Sequence, residues 1–351
     1  MLNVLSEQLR RRENLTEEQV RDAIAQLTAE SVPVEDKADF LTALAQKGET
    51  TEEIAAFARH LRELSILPPL DAETRAREIL DVCGTGGDKL NTFNISTTVA
   101  IVCASAGVTV AKHGNRAITS QSGSADVLEA LGIRIDLTPE EAARSLKEQH
   151  FAFFFAQKYH PAFKHIGPAR KLCAERGQRT IFNFLGPLMN PVRPSAQLIG
   201  VPRPQLCEPM AHVLQSLGIR RGMVVTGQVP VPGQSSPTFL DEFSTLGETT
   251  VAEFYHDRGF TTSSFSLENY PLQSATLADL AGGDKEANAT IVRRVIAGEE
   301  RGPKRDAVLL NAGAALFVAG MVKSISEGWG LAANLIDGGR ASAKLKALAA
   351  R

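Results

Sequence analysis

Residues 81–126 read DVCGTGGDKLNTFNISTTVAIVCASAGVTVAKHGNRAITSQSGSAD, and this stretch decides the fold. It begins inside a short apolar run, Ile79-Leu80 into Val82-Cys83, of the kind that forms a buried strand. Gly84-Thr85-Gly86-Gly87-Asp88 follows. Three glycines in four residues give φ freedom and remove side chains, so a ligand can lie directly on backbone amides. After a polar connector, Asn94-Ile95-Ser96-Thr97-Thr98 opens a helix that continues through 99–106 and stops at Gly107. It is apolar on nearly every face, which predicts a core helix. Its N-terminus is then a fixed platform of free N–H groups with Ser and Thr hydroxyls beside it, a site for an anion.

Residues 108–111 read as a second buried strand, which delivers Lys112-His113-Gly114-Asn115-Arg116 at its end. Ser122-Gly123-Ser124-Ala125-Asp126 opens another helix that ends near Gly132. Two strand–loop–helix units put both loops on one edge of a parallel sheet, where α/β proteins bind ligands. Lys112 and Arg116 supply positive charge there. Asp88 repels a bare phosphate unless a metal or a sugar hydroxyl stands between them. The expected ligand is therefore a phosphorylated sugar. The spacing of Gly84 to Asp88 fits neither a Walker loop nor a dinucleotide fingerprint.

Composition sets the bounds. A chain of 351 residues has room for a large core and more than one domain, and 43% hydrophobic with 22% charged residues is ordinary for a soluble globular protein. A formal charge of −2 gives no footprint for nucleic acid or a membrane surface. Cys83, Cys103, Cys173 and Cys207 are widely spaced without a CxxC pair, so buried free thiols in a reducing compartment are expected. The opening MLNVLSEQLRRREN is not a signal peptide, and the apolar run around 99–111 is too short and glycine-interrupted to span a bilayer. A cytoplasmic location follows as the expectation.

Outward from the central stretch, residues 1–67 look all-helical, with capping-box signatures at Thr16/Gln19 and Thr50/Glu53. Ile54, Phe57, Ala58 and Leu61 share a helical face, and Pro68-Pro69 is a candidate hinge. Residues 133–137 read as a strand, Thr138-Pro139-Glu140-Glu141 as a helix start, and 151–155 as an aromatic strand. Residues 157–191 are broken into short helical pieces by Pro161 and Pro168, and carry Arg170, Lys171, Arg176 and Arg179. From Ala196 the pattern is strand (198–201), helix (205–217), strand (223–226), as in a sheet sandwiched by helices. A Pro/Gly/Ser-rich excursion over 229–237 then leads to Phe239-Leu240-Asp241-Glu242. Residues 249–254 and 261–267 read as strands near a surface hairpin. Helices are expected at 284–297, 305–319 and 325–350, with Trp329 as packing.

The ordered set GTGGD, NTFNIST, KHGNR and SGSAD resembles the phosphoribosyl-diphosphate site of the anthranilate phosphoribosyltransferase family. GPAR at 167–170 resembles its acceptor segment, and DAVLLNAGAALFVAG at 306–320 also matches. The resemblance implies an α/β protein of the nucleoside-phosphorylase-like transferase fold. A small all-helical domain (1–70, joined by part of 160–187) and a large α/β domain (71–160 and 188–351) then flank a cleft, in a homodimer. It implies Mg²⁺-dependent transfer of 5-phosphoribosyl from 5-phosphoribosyl 1-diphosphate to the amine of anthranilate, a step of tryptophan biosynthesis.

The same resemblance assigns residues. The donor falls to Gly84, Thr85, Gly86, Gly87, Asp88, Thr92, Asn94, Ile95, Ser96, Thr97, Lys112, His113, Gly114, Asn115, Arg116, Ser120 and Ser124. Anthranilate falls to Gly84, Asn115, His160 and Arg170, whose guanidinium suits a carboxylate. Of two Mg²⁺ ions, one meets Ser96 and the other Asp241 and Glu242, hard oxygen ligands in either case. Lys112, Asn115 and Arg170 are the catalytic candidates. His113 and His160 are candidate proton relays or scaffold residues. One departure stands out: Thr226-Gly227, Phe239 and a lengthened 228–238 replace the family's compact approach to the acidic pair, which puts the second metal site in question. Two other readings stay open, a pyrimidine nucleoside phosphorylase of the same fold and a non-catalytic paralogue that binds nucleic acid.

Overall fold

The computed structural model describes residues 2–117, 121–231, 233, 236–256 and 259–350. Its sheet contains β1 (Ile79–Gly84), β2 (Thr109–Gly114), β3 (Phe151–Phe155), β4 (Ala196–Gly200), β5 (Arg221–Val229), β6 (Thr238–Leu240), β7 (Thr249–Tyr255) and β8 (Thr261–Phe265). The order across the sheet is β3-β2-β1-β4-β5-β7-β8, with β6 also paired to β5. Strands β1 to β5 run parallel, and β6, β7 and β8 add antiparallel pairs. The chain winds outward from β1 through β2 to β3, then returns to place β4 and β5 on the other side. The crevice between β1 and β4, beyond their carboxyl ends, is thus a topological switch point.

Alternation along the strands divides the core. Leu198, Met223 and Val225 face a cluster built on the helices Ile95–Ser105, Pro303–Val318 and Ile325–Asp337, whereas Ile199 and Val224 face the opposite cluster. The helix Ile95–Ser105 is buried at nearly every position, as its all-round apolar sequence requires. The opposite cluster joins the helix Cys207–Ser216 to the N-terminal helices Leu2–Arg10, Glu17–Thr28, Val34–Lys47 and Thr51–Glu63 and to residues from 166–189. Both N-terminal capping boxes form, as does the one at Thr138.

Two expectations fail. Residues 133–137 are not a strand. Ile133 and Ile135 are buried while Arg134 and Asp136 are exposed, which mimics strand alternation, but the outer edge of β2 is taken by β3. The C-terminal helix is two helices, Ile325–Asp337 and Arg340–Ala349, divided at Gly338-Gly339, where Gly339 has φ 74°.

The helical part is fastened to the sheet through residues 187–190. The Arg62 guanidinium donates to the Leu188 carbonyl, and Gln197 donates to the Pro187 carbonyl at 2.7 Å. Asn190 donates to Asp81 Oδ2 at 2.9 Å and to the Ala111 carbonyl at 2.7 Å. Burial raises the Asp81 carboxyl to about 6, with Asn190 the first of the contacts that oppose the rise. Asn190→Ala removes both of these buried bonds, leaves Asp81 Oδ2 only the 3.4 Å contact from Gln197, and should lower unfolding stability by about 1–3 kcal/mol, readable by denaturant titration.

Candidate active site

The site is assembled where strands end without side chains. A Cβ on Gly84, the last residue of β1, would lie 2.5 Å from Asp241 Oδ2, and one on Gly200, the last of β4, would lie 1.5 Å from the Asp241 carbonyl oxygen. The loop that follows β6 therefore rests on the switch point with Asp241 in contact with both strand ends. There the Asp241 carboxylate accepts from the Gly86 N–H at 2.6 Å and the Thr85 hydroxyl at 3.4 Å. The glycine loop is an amide cradle for an anion, and a carboxylate of the chain itself sits in it.

Beside the cradle stands the N-terminus of Ile95–Ser105. The Asn94 side chain does not cap it; Asn94 Oδ1 instead accepts from Asn288 at 2.9 Å, and Asn94 Nδ2 donates to the Ser122 carbonyl at 3.4 Å. The Ile95 N–H turns back to the Phe93 carbonyl at 2.7 Å and the Ser96 N–H faces the Glu242 carboxyl, so this helix start already carries an acidic partner. Thr97 Oγ1 is buried without a hydrogen-bond partner among the described residues. Ile95 is a core residue, and Thr92 forms an isolated bridge to Ala281 that fixes the approach to the helix.

Lys112 projects from β2 beneath this platform. It is almost fully buried, and its Nζ donates to the Val82 carbonyl at 2.7 Å and to Ser96 Oγ at 3.4 Å. Burial lowers its affinity for the proton, while Cys83, Asp81 and Glu242 act the other way. Across from it, burial pushes the Glu242 carboxyl up to about 8, despite Lys112 and the Ser96 N–H. Burial, then Asp88 and Glu242, hold the Asp241 carboxyl well above the carboxylate range. Asp88 Oδ1 accepts from the Leu90 N–H at 3.1 Å and Oδ2 from the Asp241 N–H at 3.4 Å.

Three clustered carboxylates with one lysine are short of positive charge, and a hard divalent cation suits that donor set. Among the described residues no group of three His, Cys, Asp or Glu is arranged to hold a metal alone. The remaining oxygens would come from a ligand and from water.

A second wall is aromatic. His113 Nε2 and His160 Nε2 are 3.2 Å apart. His160 stacks on Phe163 at 5.1 Å, Phe163 meets Phe182 edge-on at 5.8 Å, and the Arg170 guanidinium lies over Phe182 at 5.1 Å. Burial first, and His160 next, drives His113 down to about 3, and burial takes His160 down to about 4, so both imidazoles are neutral near pH 7. Burial also lowers the Arg170 guanidinium from its usual range. Arg170 has no acceptor for its guanidinium among the described residues.

The remaining candidates divide. The Asn115 carbonyl accepts from Ser124 Oγ at 3.4 Å and the Ala125 N–H at 3.2 Å, which ties the loop after β2 to the next helix. Gly114 permits this, since a Cβ there would lie 2.2 Å from Ser124 Oγ. Gly87 lies against Pro202. Arg116 is not brought in: its guanidinium bonds Asp126 at 2.9 Å and Glu129 at 2.9 and 3.0 Å on the next helix. Ser120 lies outside the described residues.

Comparison with known proteins gives one answer. A glycosyl transferase family a/b domain matches residues 76–342, and the helical bundle domain of the glycosyl transferase family matches residues 5–65. An anthranilate phosphoribosyltransferase of Lacticaseibacillus casei is 45% identical over 350 residues, with 100% of this chain and 97% of the relative covered. That of Caulobacter vibrioides is 47% identical over 310 residues, 88% and 85% of the two chains. The chain belongs to the anthranilate phosphoribosyltransferase family. The crystal structure of the Thermus thermophilus member superposes with a TM-score of 0.86 at 40% identity, over 99% of this chain and 98% of that one. The Saccharomyces cerevisiae enzyme, solved in complex with PRPP and Mg, gives 0.86 at 26% identity over 99% and 97%.

Within the family frame, the residues that sequence reasoning missed are those that shape the site without touching a ligand through a charged group. Gly200 carries no motif, and its only signal is a glycine at the end of an apolar run. Phe163 and Phe182 carry no motif either. At the described ends of the lengthened 228–238, β5 and β6 pair with Gly227 opposite Leu240 and Val229 opposite Thr238, and β6 leads directly into Asp241.

Two outcomes follow from this geometry. Asp241→Asn removes a hard carboxylate oxygen and should change the Mg²⁺ dependence of inorganic pyrophosphate binding; an unaltered Mg²⁺ titration by calorimetry would remove Asp241 from the metal site. A neutral buried histidine binds fewer protons folded than unfolded, so its contribution to stability is lost as pH falls from 6.5 toward its folded value, about 4 for His160. The Tm difference between wild type and His160→Gln should accordingly shrink between pH 7 and pH 4.5.

Proposed function

We propose that this chain joins the 5-phosphoribosyl group of 5-phosphoribosyl 1-diphosphate to the amine of anthranilate, as a cytoplasmic homodimer. The observation that carries the reading is a convergence at one crevice. An amide cradle, an uncapped helix N-terminus and a buried lysine face an acidic pair, and an arginine without an acceptor stands on an aromatic wall. The yeast structures held PRPP with Mg, and in another case 4-fluoroanthranilate. The same ligand classes are proposed here.

In the reaction the bond from ribose C1 to the diphosphate oxygen breaks and a C1–N bond forms to the amine, which then sheds a proton. Negative charge grows on the departing oxygens. The Gly86 and Ser96 N–H groups, which the acidic pair occupies until a ligand takes its place, and the Lys112 ammonium would be the donors to such charge. Asp241, Glu242 and Ser96 would hold Mg²⁺, two ions per site, which supplies charge neutralisation for the diphosphate. Gly84, Thr85, Gly87, Asp88, Thr92, Asn94, Thr97, Gly114, Asn115 and Ser124 frame the donor. Arg116, committed to Asp126 and Glu129, contributes by holding the loop.

Arg170 would clamp the acceptor carboxylate through paired hydrogen bonds while Phe163, Phe182 and His160 accommodate its ring. An aromatic amine is uncharged at neutral pH, so alignment within the pocket counts for more than a strong base. His113 and His160, neutral and in contact, keep that side free of a second positive charge and offer an imidazole nitrogen for the departing proton.

The direct test is the loss of anthranilate fluorescence on adding donor and Mg²⁺, abolished by EDTA. Thymidine with phosphate should release no base. Arg170→Ala should raise KM for anthranilate by about tenfold or more, the worth of a charge-assisted pair of hydrogen bonds, with KM for the donor changed less than about threefold. Equal losses for both substrates would remove Arg170 from the acceptor side.

A further inference from the structure

The helix Pro303–Val318 is apolar throughout its middle, yet Asn311 sits there fully buried. A carboxamide in such a place is costly unless every polar atom is bonded. Its partner is the backbone of one loop residue. Asn311 Oδ1 accepts from the Phe243 N–H at 2.9 Å, and Asn311 Nδ2 donates to the Phe243 carbonyl at 3.0 Å. The second Nδ2 proton goes to the Ala307 carbonyl, 2.9 Å away and one helical turn back, which sets the orientation of the amide.

Phe243 follows Asp241-Glu242 directly, and its ring is buried against Phe265, 5.2 Å between centroids. On the far side, Ser244 N–H donates to Thr249 Oγ1 at 3.1 Å and Ser244 Oγ to the Gln228 carbonyl at 2.6 Å. The acidic loop crosses strand ends that carry no Cβ, so those glycines admit it without gripping it. Between the bonds of Asp241 to the cradle and those of Ser244, the two-point clamp on Phe243 is the hold applied from the core helix.

We infer that Asn311 is a positioning residue for the reaction: its carboxamide holds the Phe243 backbone in the one setting that points both Asp241 and Glu242 at the cradle. The inference rests on the functional reading above. Only a carboxamide offers a donor and an acceptor at the spacing of a peptide N–H and C=O. Asn311→Asp keeps the shape and sets an acceptor against the Phe243 carbonyl. Phe243→Leu keeps both backbone hydrogen bonds and loses only the ring.

The test is calorimetric binding of inorganic pyrophosphate to the full chain as Mg²⁺ is varied, with thermal unfolding in parallel. Asn311→Asp should raise the half-saturating Mg²⁺ concentration about tenfold or more, while KM for anthranilate stays within about twofold. Phe243→Leu should lower Tm and leave the Mg²⁺ dependence alone. Should the aspartate variant fail to fold, Asn311→Ala, which buries no charge, carries the same expectation. Wild type and folded Asn311 variants binding alike would overturn the inference. So would Phe243→Leu shifting the Mg²⁺ dependence equally, since any loss of packing would then do. A wild type that binds no magnesium pyrophosphate would overturn the functional reading together with the inference.

Discussion

An amide N–H in a sheltered crevice needs an acceptor, and at Gly86 the acceptor is the Asp241 carboxylate, 155 residues further along the chain. The rest of the site is arranged around that bond. It requires the loop after β6 to lie on the ends of β1 and β4, which in turn requires glycine at 84 and 200. It also places an acidic side chain inside the amide cradle where the proposed diphosphate would lie. A ligand that enters must supply oxygens to the cradle and a cation to the carboxylate it displaces. A metal-bound diphosphate satisfies both needs at once, whereas a bare phosphate satisfies one.

The electrostatics of the crevice are out of balance. Burial favours neutral Asp241 and Glu242, opposed at Asp241 by the Gly86 N–H and at Glu242 by Lys112 and the Ser96 N–H. Ionised together, the acidic residues repel one another in a low-dielectric pocket until a divalent cation arrives. Lys112 cannot neutralise the cluster by moving toward it, because its ammonium is held by the Val82 carbonyl and Ser96. A fixed donor of this kind does not have to reorganise as charge develops on a leaving oxygen.

Much of this was legible in the sequence because the donor side is made of contiguous chain. GTGGD, NIST and KHGN each end a strand or begin a helix, so local pattern places them on one sheet edge. Capping boxes at Thr16, Thr50 and Thr138 are equally local. Residues 133–137 misled because burial every second residue marks a chain lying on a core, and pairing depends on a free sheet edge that only tertiary structure reveals. Arg116 is paired with Asp126 and Glu129, a placement that nothing in the sequence signals. Gly200, Phe163 and Asn311 act through approach, stacking and backbone clamping, none of which leaves a motif.

The two walls of the crevice ask for opposite chemistry, and the fold separates them accordingly. The donor wall belongs to the sheet, where parallel strand ends and a helix N-terminus give fixed polarity. The aromatic wall hangs from residues 160–182, short helical pieces whose shared core is with the N-terminal helices. The two are joined by 187–190, where Leu188 is held by Arg62 of the helical part, and Pro187 and Asn190 by Gln197 and Asp81 of the sheet. A junction fastened by buried hydrogen bonds on both sides ties the wall that carries Arg170 to the wall that carries the cradle, and Asp81 within it also accepts from the His113 N–H at 3.3 Å. On the proposed reading two reactants held on separate walls meet at one carbon only if the walls keep their distance, and this buried polar junction is what would keep it.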